Sequence, residues 1–191
     1  RSSYLVTTTS LTFPRLFPRP KAATGIWSWI GTVDHKRIGT LYGITAFIWF
    51  IVGGLESLAM RAQLASAEND LIDPETFNQL FTMHGTTMVF LVIMPLSAAF
   101  FNWLIPLQIG ARDVAFPRLN ALSYWIFLLG SLLINASWLT GDAPNGGWFG
   151  YAPNSGTTFN PGLGMTYWIV GLNILGVASI AAGLNFIVTI V

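Results

Sequence analysis

The sequence predicts an all-α membrane protein, a polytopic bundle of transmembrane helices, and three observations carry that expectation. Of its 191 residues, 53% are hydrophobic and only 9% charged, against about 25% charged in a soluble domain. So few charges cannot coat a water-facing surface, whereas a bilayer makes them unnecessary. Four apolar stretches are each long enough to cross a hydrocarbon core about 30 Å thick, which takes about 20 helical residues. None of them alternates as the roughly ten-residue strands of a membrane barrel would, and a helix satisfies its own backbone in lipid.

The spans run from about 38 to 60, 84 to 107, 119 to 140 and 165 to 191, each bounded by polar, proline- or glycine-containing sequence. Ahead of them, residues 1–33 form a cationic arm with no acid and several arginines, serines and threonines. That composition has a weak likeness to an organellar transit peptide, and the preferred reading is a disordered cationic arm. The remainder, 34–191, is a single membrane portion. The first span is too long for a signal peptide, and no small-residue cleavage site follows it. A chain that begins at Arg1 and ends within the apolar run Thr189-Ile190-Val191 is expected to be a fragment or a processed product.

Cations give the direction. Arg1, Arg15, Arg19, Lys21, Lys36 and Arg37 precede the first span, and Arg112 and Arg118 lie between the second and third. The other side holds Arg61 with the acids Glu68, Asp70, Asp73, Glu75 and Asp142. Eight cations against one place the N-terminus on the cytoplasmic side, or its organellar equivalent, by the positive-inside rule. Loops 62–83 and 141–164 then face outward. The second of these and the residues just after it carry Trp148, Phe149, Tyr151 and Trp168, rings favoured at a membrane interface. A net charge of +1 offers nothing to nucleic acid, and the absence of cysteine rules out disulfides, zinc fingers and thiolate-held clusters on this chain. Any metal or haem must be held by histidine, methionine, tyrosine or carboxylate.

Few residues can carry chemistry. His84 opens the second span in MHGTTMVFLVIMP. Imidazole is a common axial ligand of haem iron, and Gly85, Thr86 and Thr87 leave room beside it for a flat macrocycle. A simple interfacial, hydrogen-bonded histidine fits the same residue. Arg61, at the outer end of the first span, needs an anionic or polar partner, such as a haem propionate or formyl oxygen, or else it snorkels to headgroups. Asp113, between Arg112 and Arg118 in the inner loop, reads as a loop-capping acid or as the collector of a proton channel. Asn102, Asn120, Ser123, Ser179 and Asn185 lie in the inner halves of spans two to four. Singly they suit helix–helix hydrogen bonds; together, on the side of Asp113, they suit a water-lined path. Glu56, five residues before Arg61 in the first span, is a protonated donor, a relay or part of a quinone site, and its role is open.

Six ordered segments, DHKRIGTLYGITAF, MRAQL, FTMHGTTMVFLVIMP, IPLQIGARDVAFPRLNALSYW, GWFGYAP and ILGVASIAAGLNFIVTI, together resemble subunit I of the haem–copper terminal oxidases, bacterial members included. The resemblance covers the chain from about Asp34 to its end. It implies a fold of about twelve helices, of which the first four are here. It implies that His84 is one of two axial ligands of the low-spin haem, of type A, and that Arg61 contacts that haem's formyl-side edge. Trp148 and Tyr151 match outer-loop aromatic residues near the haem propionates. Asp113 matches the entry acid of a proton pathway, and Asn102, Asn120, Ser123, Ser179 and Asn185 match polar positions along it. Tyr42 and His35 match residues near the same entrance. The second axial histidine, the ligands of the high-spin haem and of copper, and the cross-linked tyrosine lie in later helices, since only His35 and His84 occur here. The 191-residue chain alone is therefore not expected to reduce oxygen. The implied partners are the remaining helices of subunit I, subunits II and III, an electron donor and lipid, in a bacterial plasma membrane or the mitochondrial inner membrane.

The donor is cytochrome c or quinol. Quinol-oxidising relatives carry an arginine and an aspartate on the first span and a histidine and a glutamine before the second. Those positions here read Val52, Glu56, Thr76 and Gln79. Two of the four polar groups are absent, and valine cannot donate to a quinone carbonyl, so cytochrome c is the expected donor.

Overall fold

A computed structural model describes residues 24–191. The expected arm therefore falls mostly outside the described residues, along with Arg1, Arg15, Arg19 and Lys21. Residues 24–31 belong to one unit, with the single turn α1 (Trp27–Ile30). The rest, from Thr32 onward, forms a second unit made of helices and loops, with no strand among the described residues.

Four helices of that unit are long and apolar enough to cross a membrane. The first, α2 (His35–Gln63), starts where the Asp34 carboxylate accepts the N–H groups of Lys36 at 2.8 Å and Arg37 at 3.2 Å, donors that a helix's first turn leaves unpaired. The second is α3 (Pro74–Thr86), a π-helical segment Thr87–Ile93 and α4 (Met94–Gln108) in series. Third comes α5 (Pro117–Ala136), ending in a 3₁₀ turn at Ser137–Thr140, and fourth α6 (Gly164–Ile190). The helices extend the apolar runs read from sequence, most of all at the second. There the stretch expected as loop 62–83 is helical from Pro74 onward. Asp73 caps it, accepting Thr76 N–H at 3.0 Å and the Thr76 hydroxyl at 2.6 Å, and Pro74 suits a first helical position.

The π-helical turn has a local cause. Pro95 has no N–H, and its ring crowds the carbonyl four residues back, Leu91. The register widens ahead of it, so Met94 N–H bonds to Val89, five residues back.

Lipid gives apolar helices little reason to associate, so small residues that let backbones approach must hold them. Gly39 lies against Trp103 and the Ala99 carbonyl, where an added Cβ would fall 2.8 Å from the Trp103 ring. Gly130 and Gly171 face each other across α5 and α6, and a Cβ at Gly171 would overlap Ile134. Tyr42, Tyr124 and Phe127 fill the centre, with Tyr42 edge-on to Tyr124 at 5.2 Å. Phe47, Leu55, Leu58, Ile180, Leu184 and Ile187 point outward, as lipid-facing positions should.

Candidate functional site

Two sets of polar contacts join α2 to the second span, near opposite ends of the pair. His84, in the last turn of α3, points its Nδ1 at the carbonyl oxygen of Gly53, 2.8 Å away. His35, at the start of α2, points its Nδ1 at the carbonyl of Asn102, at 2.6 Å. Gly53 and His35 are 18 positions apart on α2, about 27 Å at 1.5 Å per residue.

At the first end, the bond from Nδ1 to a main-chain carbonyl fixes ring orientation and tautomer, leaving Nε2 as the nitrogen able to hold a metal. Gly53 is what allows the approach: a Cβ there would fall 2.9 Å from Met88 Sδ and 3.3 Å from Thr87. Beside it at Gly54 an added Cβ would meet no atom within 4 Å. A single imidazole held through Nδ1 has the donor chemistry of one axial position of a haem. No group of three or more His, Cys, Asp or Glu gathers among the described residues.

The room expected beside His84 is differently used. A Cβ on Gly85 would fall 2.7 Å from the Trp148 side chain, so the tryptophan, not a macrocycle, covers that glycine. Thr86 Oγ1 accepts the Trp168 indole N–H at 3.0 Å. Thr82 Oγ1 accepts Gly147 N–H at 2.9 Å. These residues fasten the 141–163 loop onto the His84 helix. Trp168 itself stands on α6 rather than in the loop. Tyr151 is exposed, stacked on Phe149 with ring centres 5.1 Å apart, and Phe149 meets Trp148 edge-on. Arg61 is exposed in the last turn of α2, eight residues or about 12 Å beyond Gly53 along the axis.

At the other end, five of the singled-out residues join into one buried chain. Tyr42 OH lies 3.1 Å from Ser123 Oγ. Ser123 donates to the Asn120 carbonyl at 2.8 Å. Asn120 Nδ2 donates to Asn102 Oδ1 at 2.6 Å, and the Asn102 carbonyl meets His35. Asn102, Asn120 and Ser123 are fully buried, and Asn120 Oδ1 has no hydrogen-bond partner. Asp113 stands nearby in sequence, in the 109–116 loop, where its Oδ1 accepts Val114 N–H at 2.8 Å.

Asn185 does not join this chain. It clamps the loop: Oδ1 accepts Phe116 N–H at 2.8 Å and Nδ2 donates to the Phe116 carbonyl at 3.2 Å. Thr189 adds a bond from Ala115 N–H at 2.9 Å. Ser179 is exposed on α6 and lines a largely apolar groove of about 580 Å³ between α4 and α6, whose wall includes Tyr42. Glu56 is buried, with Trp138 beside its carboxylate but no well-formed hydrogen bond on either oxygen. Outside the spans, the hydroxyl and N–H of Thr76 hold the Asp73 carboxyl below the usual carboxylate range.

Sequence reasoning missed Gly53 and the loop-holding role of Thr189, and read Trp168 only as an interfacial ring. The Gly53-Gly54 pair inside an apolar span was a signal of close approach; nothing in the sequence pairs Trp168 with Thr86.

Four apolar helices in one bundle make this a multi-pass membrane protein. The model of the family described as "Cytochrome C and Quinol oxidase polypeptide I" matches residues 37–191, and the chain belongs to that family, subunit I of the haem–copper oxidases. It is 47% identical over 166 residues to "Quinol oxidase subunit 1" of Bacillus subtilis strain 168, covering 86% of this chain and 26% of that relative. With "Cytochrome c oxidase subunit 1" of the same organism it shares 46% over 166 residues, covering 87% of this chain and 26% of the relative. With "Probable cytochrome c oxidase subunit 1-alpha" of Streptomyces avermitilis it shares 47% over 174 residues, 91% of this chain and 30% of the relative. The chain thus spans a quarter to a third of the length of these curated relatives. The relatives are named as oxidase subunits.

Proposed function

We propose that this chain is the N-terminal portion of subunit I of a respiratory oxidase that passes electrons from cytochrome c to O₂ and couples the reaction to proton pumping. The observation that carries the reading is His84, turned by the Gly53 carbonyl at 2.8 Å so that Nε2 is the ligating nitrogen. In the full subunit that nitrogen would hold a low-spin haem, of type A, with Arg61, Trp148 and Tyr151 around its edge. The haem, when bound, supplies one-electron transfer. The chain's own residues orient it and exclude water. The second axial ligand, the high-spin haem and copper belong to helices beyond these four.

The buried chain from His35 to Tyr42 suits proton movement from Asp113. The Tyr42 and Ser123 hydroxyls both donate and accept, whereas the carbonyl and amide links do only one, so bridging waters would carry the proton past them, and the spare acceptor on Asn120 would hold one. Ser179, in the groove that Tyr42 lines, would continue such a path. Asn185 serves it by holding the loop that presents Asp113. The cation bias puts this end, and the N-terminus, on the cytoplasmic or matrix side, with the His84 end opposite. Proton entry and the haem then lie on opposite sides, as a redox-driven pump requires.

Cytochrome c is favoured over quinol by the residues at the four quinol positions. Val52 is apolar, and the Thr76 hydroxyl is already given to Asp73 at 2.6 Å. Glu56, a buried carboxylate without a well-formed hydrogen bond, is what keeps the quinol reading in play. Purified oxidase should turn over with reduced cytochrome c and not with a short-chain quinol; turnover with quinol alone would reverse the donor.

A further inference from the structure

The turn that carries His84 is held from two directions. On one side the Gly53 carbonyl fixes the imidazole itself. On the other, Trp168 reaches from α6 to Thr86, two residues after His84, and donates its indole N–H to a hydroxyl that is fully buried. The tryptophan is seated as well as bonded. Its six-membered ring lies under Gly150, where an added Cβ would fall 2.7 Å from the ring edge. Gly150 adopts a φ of +62°, a conformation that favours glycine, so the loop is shaped around the ring.

The place of the bond matters. Thr86 is the last residue of α3, and the π-helical register begins at Thr87. A π-helical turn is a change of register inside an α-helix, and a side chain bonded at its edge holds that change in place. Trp168 pins it one turn or less from the imidazole. A shift of that edge would rotate His84 about the helix axis and tilt its ring against the Gly53 tether.

We propose that Trp168 is a positioning residue for His84: through Thr86 it fixes the start of the π-helical segment and thereby the angle at which the imidazole meets the haem iron. This rests on His84 being an iron ligand. Ligand orientation and hydrogen bonding tune haem electronics, so the consequence is electronic rather than a loss of cofactor.

The test uses the assembled oxidase and reads the low-spin haem absorption band and its redox titration in Trp168→Phe, Thr86→Val, Thr86→Ser and His84→Ala. Trp168→Phe loses the N–H together with the outer ring edge that lies under Gly150; Thr86→Val keeps the shape and loses only the hydroxyl, so it isolates the bond. Both should retain the haem, shift its band and change its oxidised-to-reduced ratio at a fixed potential. Thr86→Ser should restore the unmodified values. Combining Trp168→Phe with Thr86→Val should add nothing, because both remove one bond. If Trp168→Phe fails to assemble, Thr86→Val carries the test alone. Unmodified band and titration in Thr86→Val, with the band lost in His84→Ala, would overturn the positioning role and leave the ligand reading standing. A band retained in His84→Ala would overturn both.

Discussion

The two histidines make the same contact and are suited to opposite tasks. His35 and His84 each direct Nδ1 at a main-chain carbonyl across the same pair of helices, at 2.6 Å and 2.8 Å. His35 is only 4% exposed, and it ends a chain of amides and hydroxyls. His84 is half-buried, and its imidazole's only hydrogen bond among the described residues is to Gly53. A tethered imidazole is therefore not by itself the mark of a metal ligand. Tethering sets the tautomer; the space next to the second nitrogen decides whether a group as large as a haem can reach it.

The strongest way to separate the two ends is Asp113→Asn. Asparagine can still accept the Val114 N–H that Asp113 now accepts at 2.8 Å, so the loop should hold its shape while losing a titratable group. Proton uptake and pumping should fail, with haem content and spectrum unchanged. Normal pumping, measured by pH change in proteoliposomes, would remove the entry role from the account. A change in the haem spectrum would show that the ends are not independent.

A change between the ends should instead affect both. Gly171 meets Gly130 and Ile134 where α5 and α6 are closest, and a leucine there forces the helices apart. Overpacking of this kind costs about 1–3 kcal/mol, and close approach is what holds helices together in lipid. Gly171→Leu should lower the thermal midpoint of the assembled oxidase and the yield of haem and pumping alike. An unchanged melting curve would mean that this contact does not hold the pair together.

The smallest effect belongs to Asp73, which touches neither set. Thr76 depresses its pKa, so its contribution is present above the unfolded carboxylate value, about 3.9, and is lost as pH falls through the lower folded value. Asp73→Asn should flatten only the acid edge of a stability-against-pH profile. Parallel acid edges in the two proteins would show that the cap is silent.

Much of this was legible from residues. Four spans follow from run length, and the inner polar residues could be grouped because amides and hydroxyls in apolar helices must find partners. The helical turns at Pro74–Met83 were not legible, because α3 begins in polar sequence and only the Asp73–Pro74 cap announces it. Nor was the division among the polar residues. Asn102, Asn120 and Ser123 join Tyr42, while Asn185 spends its amide on Phe116. Both uses satisfy the same hydrogen-bonding demand, and only three-dimensional register distinguishes them. Glycine next to histidine read as open space, yet Trp148 fills it. The partner came from more than sixty residues downstream, beyond the reach of any local pattern.

The most direct test of the account is a reduced-minus-oxidised visible spectrum of the assembled oxidase carrying His84→Ala. The account predicts that the low-spin haem band disappears while the other subunits still assemble. A low-spin band of normal position and intensity would contradict it, since the imidazole held by Gly53 would then be a structural histidine like His35.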